Sequence, residues 1–191
     1  MDFQYEYLLL IPIGFIAGFL NTIAGGGTLL TLPTLIFMGL PAPLANGTNR
    51  IAILVQTFTA VRGFKSKGIS TYPFSLYLGL SALVGSFIGA KLVSRIDVNI
   101  LKPFIFFMLI AIAIYTFKKK DFGSYSTKVL SDKKKYLFGF LLGIIIGFYD
   151  GFLGPGTGSF LVLGFVALLG FEFLEASAYA KIINCITNIS A

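Results

Sequence analysis

ISTYPFSLYLGLSALVGSFIGA, residues 69–90, contains no charged side chain. It is longer than the ~18 apolar residues that mark a candidate membrane crossing. Residues 103–117 (PFIFFMLIAIAIYTF) and 136–149 (YLFGFLLGIIIGFY) are also uncharged. Several such runs in one chain exclude a single anchor. Hydrophobic residues make up 56% of the sequence and charged residues 12%, against about 25% charged in a soluble domain. The predicted fold class is all-α: a polytopic transmembrane helical bundle, multi-pass in the cell (inner or plasma) membrane.

Other composition signals narrow the function. No Lys or Arg precedes the first apolar run, residues 8–24, so that run reads as a retained helix rather than a secretory signal. Cys185 is the sole cysteine, which excludes an internal disulfide. Histidine is absent, removing the commonest metal ligand and proton shuttle; no metal and no cofactor is expected. The net charge is +7, but it is unevenly placed. Arg62, Lys65 and Lys67 form one basic loop, and Lys118–Lys120, Lys128 and Lys133–Lys135 form another. Two spans separate the loops, so both can lie on the cytoplasmic face under the positive-inside rule. That pattern argues for a lipid bilayer as partner and against nucleic acid. Lys91, Arg95, Asp97 and Lys102, at 91–102, show a weaker bias that fits the opposite face.

Working outward, the chain repeats itself. GFIAGFLNTIAGGGT at 14–28 parallels GIIIGFYDGFLGPGT at 143–157. Gly14, Gly18, Phe19, Gly25, Gly27 and Thr28 match Gly143, Gly147, Phe148, Gly154, Gly156 and Thr157, with Asn21 opposite Asp150. After a two-residue shift, Gly39, Ala45, Arg50 and Ile51 match Gly170, Ala176, Lys181 and Ile182. Residues 1–117 therefore read as a first repeat, 118–135 as a basic cytoplasmic loop, and 136–191 as the start of a second repeat. A complete second copy would need roughly 60 further residues, about two spans and their connections. Duplicated halves are common in secondary transporters.

Each copy opens on a helix breaker, GGG at 25–27 and GPG at 154–156, set inside apolar sequence. Irregular backbone at membrane depth is tolerated only inside protein or beside a water-filled cavity. Each segment reads as a glycine-broken helix or a re-entrant hairpin. Hairpins make the copies inverted and put the acidic MDFQYEY outside; single broken spans make the copies parallel. The hairpin is the favoured expectation.

The candidate substrate-binding residues cluster at these breaks: Asn21, Gly25, Gly26, Gly27 and Thr28 in the first, Gly154, Gly156 and Thr157 in the second. A helix starting after a break presents free N–H groups and partial positive charge, a natural anion seat. Thr28 and Thr157 either cap those helices or cap and touch ligand. Asp150 either caps amides of the turn or is a protonatable coupling group, the default suspicion for a carboxylate in lipid. Arg50 and Lys181 either snorkel to an interface or supply positive charge to an anion. Thr48 and Asn49 beside Arg50, and Asn184 after Lys181, favour a lined cavity. Gly139, Gly143, Gly147 and Gly151, like Gly85–Gly89 and Gly14–Gly18, have the spacing of close helix contacts. No GK[ST] follows the triple glycine, so it is not a phosphate-binding P-loop.

The stretches GFLNTIAGGGTLLTLP with GLPAPLANGTNRIA, and GFYDGFLGPGTGSFLV with EASAYAKIINCITN, resemble the TauE/SafE family of membrane transporters. The resemblance spans nearly the whole chain. It implies an inner-membrane permease of two related halves that moves small anions: sulfite, sulfonates or small carboxylates. Members are usually longer. Two other classes compete, a membrane-embedded enzyme acting on lipid phosphates and a non-transporting truncated remnant. With no histidine and one deep acid, the sequence offers little acid–base machinery, so no enzyme is expected. A homo-oligomer is compatible with the sequence.

Overall fold

The computed structural model describes residues 8–69, 71–96 and 130–190, with Pro103, Phe107, Ile110 and Ile114 as further helical positions. Expectations placed on MDFQYEY, Asp97, Lys102, Lys118–Lys120 and Lys128 lie outside the described residues. The described elements are helical: α1 (Leu10–Ala24), α2 (Thr28–Phe37), α3 (Ala42–Ser66), α4 (Phe74–Val93), α5 (Asp132–Phe152), α6 (Thr157–Leu169) and α7 (Phe173–Ser190). Among them α4 and α5 are long and apolar enough to cross a membrane.

Helix α5 starts inside the stretch read as basic loop. Asp132 stands in its first turn, where a carboxylate complements the helix dipole, so Lys133–Lys135 are helical. Glycines mark the ends of other helices. Gly25 (φ 72°) stops α1 and donates its N–H to the Asn21 carbonyl at 2.9 Å. Gly170 (φ 73°) stops α6. Such left-handed turns cost glycine nothing sterically.

The tightest packing joins α4 and α5. Gly85 and Gly89 of α4 back onto main chain at Ile144, Phe148 and Phe152. From the other side Gly143, Gly147 and Gly151 face Ser81, Ala82 and Ser86. The numbers rise together, so the two helices run parallel. Lipid gives no hydrophobic drive between helices, and close approach of small residues supplies van der Waals contact instead. Gly164 of α6 fits against Leu142 of α5, and the Phe160 and Tyr149 rings lie 5.2 Å apart. Gly27 lies against the Ala17 carbonyl and Asn21 of α1.

Basic residues from the end of α3 and the start of α5 lie at the end of the bundle where α4 begins, while Lys91 stands in the last turn of α4. Lys135 sits 4.5 Å above the Phe171 ring and 5.2 Å above Phe74 at the start of α4. Lys65, near the end of α3, shares a cleft wall with Tyr72 and Ser75. The outer surface is apolar: Phe15 is 80% exposed and Phe37 83%. Asn21, Asn49, Asp150, Lys181 and Asn184 are buried. Apolar outside and polar inside is the arrangement lipid demands.

Candidate functional site

The ends of α1 and α5, the starts of α2 and α6, and the middles of α3 and α7 converge. Between them lies a cavity lined by Thr28, Asn46, Asn49, Arg50, Asp150 and Gly154, with Ile53, Asn184 and Asn188 completing the wall. Its free volume is about 10 Å³, at the lower limit for one water. The site is closed in this conformation.

Helix phase explains which residues reach it. On α3, positions 46, 49, 50 and 53 follow the i, i+3, i+4, i+7 spacing of one face. Asn49 is 2% exposed, and its Oδ1 accepts a hydrogen bond from the Thr31 hydroxyl. Thr48 falls on another face and is exposed, so the structure does not bring it to the cavity. On α7, positions 177, 181, 184 and 188 form a polar stripe by the same spacing.

Arg50 closes the end of α5. Its Nη2 donates to the carbonyl of Asp150 at 2.7 Å and stands 3.3 Å from that of Gly151. A guanidinium there answers carbonyls left open where the helix ends. Gly154, at φ 88°, leaves room beside it: a side chain there would stand 3.7 Å from Arg50 Nη2 and from Asn46 Oδ1.

Asp150 is 2% exposed. Its Oδ1 accepts from the Thr157 hydroxyl at 2.7 Å, a hydroxyl also 2.7 Å from the Gly154 carbonyl. Oδ2 has no hydrogen-bond partner among the described residues. Thr28 and Thr157 are not the caps. The cap positions belong to Gly27 and Gly156, and the threonines are the first helical residues. Gly156, with φ 77°, takes a conformation that threonine avoids.

Asn21 is 1% exposed and donates from Nδ2 to Gln56 Oε1 at 3.1 Å. Gly25 lies backbone to backbone with Gly158, so the two breaks touch directly. Gly26 stands beside Ser159. Lys181 is fully buried and its Nζ has no partner among the described residues; it does not snorkel. Placing a charge at membrane depth costs roughly 3 kcal/mol on insertion scales, so a buried cation without a partner calls for a reason. Lys181 is absent from the wall of the Arg50 cavity, although Asn184 is in it.

Asn46, Asn188, Gln56, Thr31 and Ser177 were not singled out in the sequence. The signal for Asn46 and Ser177 was helical phase, since each stands four residues before a selected cation.

Residues 10–191 match the sulfite exporter TauE/SafE family. A probable membrane transporter protein of Haemophilus influenzae is 36% identical over 193 residues, covering 100% of this chain and 74% of that protein. One from Sinorhizobium is 37% identical over 191 residues, covering 100% and 72%. The probable membrane transporter protein YfcA of Escherichia coli is 33% identical over 186 residues, covering 95% and 66%. No solved structure matches. With the family matched across almost the whole chain and its relatives named as membrane transporters, the chain belongs to the sulfite exporter TauE/SafE family.

Proposed function

We propose that this protein is a multi-pass inner-membrane permease for small anions such as sulfite, sulfonates or small carboxylates. Its substrate passes between two inverted repeats, each opened by a re-entrant hairpin. The observation that carries the reading is the convergence of Arg50, Asp150 and four asparagines on one cavity between the two breaks, inside an otherwise apolar bundle.

Several contacts support the hairpins. Tyr149 and Phe160 stand on either side of the second break and stack edge to face. Leu142 meets Gly164 farther along the same two arms. Gly27 meets Ala17 and Asn21 at the first break. The inversion is supported by α3 and its counterpart α7. Near the basic end, Val61, Phe64 and Lys65 share a cleft with Ala178 and Ile182. Toward the other end, Asn46 and Arg50 share the cavity with Asn184 and Asn188. The numbers run in opposite senses, so the matched helices are antiparallel, as inverted repeats require. Helices α3 and α7 also begin at Ala42 and Phe173, the same separation as Arg50 and Lys181.

Chemically the cavity offers a guanidinium and amides beside the start of α2, with the buried Lys181 ammonium outside its wall, and such groups bind oxyanions. The relatives' names point to transport rather than catalysis. In this reading Asn21, Asn49, Arg50, Lys181, Asn184 and the glycine breaks line the substrate's path, and Asp150 carries the coupling proton. Because the cavity holds at most one water, the two halves separate to admit an anion. Flux of sulfite, methanesulfonate and acetate into proteoliposomes tests the proposal. Saturable uptake of at least one is expected; absence of all three with monodisperse, folded protein overturns it.

A further inference from the structure

We infer that the two halves divide the work, the transported anion resting on Lys181 beside Asn21 and Ser177 rather than on Arg50. This rests on the transporter reading and on the repeat. The repeat pairs Asn21 with Asp150, Arg50 with Lys181, Asn46 with Ser177 and Gln56 with Thr187. Observed contacts follow the pairing. Asn21 bonds Gln56, and Thr187 stands beside Asp150. The operation that exchanges the halves would set Lys181 toward Asn21; α1 and α7 do pack together, while the Lys181 ammonium makes no bond equivalent to that of Arg50.

The two sites differ in charge. Arg50 is committed to the end of α5, with the Asp150 carboxylate close enough to act on it. That half holds its own counter-charge whenever Asp150 is ionised. In the other half the carboxylate is replaced by the Asn21 amide, and no described residue pairs with Lys181. Lys181 is 0% exposed, Asn21 1% and Ser177 2%. Lys181 Nζ, Asn21 Oδ1 and Ser177 Oγ have no hydrogen-bond partner among the described residues. None of the three lines the Arg50 cavity. One ammonium, one hydroxyl and an amide therefore retain unused capacity around one positive charge. The Asn21–Gln56 amide pair can reverse together, turning either an oxygen or an NH₂ to its surroundings. The ligand that satisfies this set is a monovalent oxyanion, a sulfonate or a carboxylate.

The test is the thermal unfolding of purified protein in detergent, titrated with sodium methanesulfonate against sodium chloride of equal ionic strength. Wild type is expected to unfold at higher temperature as methanesulfonate rises. In K181Q the apparent affinity should fall by at least about tenfold, the scale of one lost charge contact. K181Q without ligand should unfold later than wild type, because an unpaired buried charge is gone. N21D should also lose the response. The double variant N21D/D150N separates a local seat from overall charge: its net charge equals wild type, yet the response should stay lost. Recovery in N21D/D150N, or a wild-type response in K181Q, overturns the inference while leaving anion transport standing. No response to methanesulfonate in wild type that does transport it also overturns the inference; no response and no transport of any anion overturns both.

Discussion

The Arg50 guanidinium bonds the backbone carbonyl of Asp150 at 2.7 Å, tying the middle of α3 to the point where α5 stops. The residues lie a hundred positions apart in sequence. The bond makes Arg50 part of the second break as much as of its own helix. Arg50→Lys keeps the charge but loses the fork that also reaches toward the Gly151 carbonyl at 3.3 Å. We expect it to lower stability by about 1–2 kcal/mol, the worth of one charge-assisted hydrogen bond. Thermal unfolding in detergent measures it, and an unchanged midpoint would show that the cap contributes nothing.

The contact of Gly25 with Gly158 should be equally sensitive. Gly25 has φ 72°, and a methyl there would lie on the main chain of Gly158. Gly25→Ala combines left-handed strain with overpacking, together roughly 2–4 kcal/mol. Gly14→Ala is its control, because nothing stands within 4 Å of the position a methyl would take there. Gly25→Ala should lose monodisperse protein on size exclusion while Gly14→Ala keeps it; equal behaviour would refute the packing argument.

Much of this was legible in sequence because lipid leaves few choices. The uncharged runs at 69–90 and 136–149 became helices, and GGG and GPG became helix ends because glycine alone takes the left-handed turn without strain. The four-residue glycine spacing at 139–151 became the α4–α5 contact. The site was legible only where a polar residue stood alone in an apolar run, as at Asn21, Asp150 and Lys181. Linear proximity misled at Thr48, which is next to Asn49 but a hundred degrees around the helix and exposed. Asn46 and Asn188 needed helical phase and, beyond that, knowledge of which helices meet. The closure of the cavity depends on how α2, α3 and α7 cross, which no local pattern encodes.

An α3 that crosses the membrane predicts opposite sidedness at its two ends. Pro41 precedes α3 and Lys67 follows it; both are exposed. In a Cys185→Ser background, Lys67→Cys should react with an impermeant maleimide only from the cytoplasm, where the basic residues belong. Pro41→Cys should react only from outside. Labelling of both from one side would break the topology.

Asp150 offers the sharpest functional test because its buried carboxylate, with Arg50 and Thr187 close by, is left with an unpartnered oxygen. One carboxylate oxygen is held by Thr157 at 2.7 Å and the other has no partner among the described residues. That second oxygen is where a proton would come and go, and the carboxylate of a buried acid is a natural carrier. Asp150→Asn has the same shape, keeps an acceptor for Thr157 and resembles the protonated acid permanently. If the proton couples transport, the variant has nothing to release on one side of the membrane and rebind on the other. A pH gradient should then drive net anion flux in wild type and fail to do so in Asp150→Asn, a loss of about tenfold or more, as expected for removing an essential proton carrier. Exchange of labelled for unlabelled anion at equal pH requires no net proton movement and should persist. Gradient-driven flux that survives in Asp150→Asn would remove the carboxylate from the coupling path and leave it as a structural partner of Thr157 and Arg50.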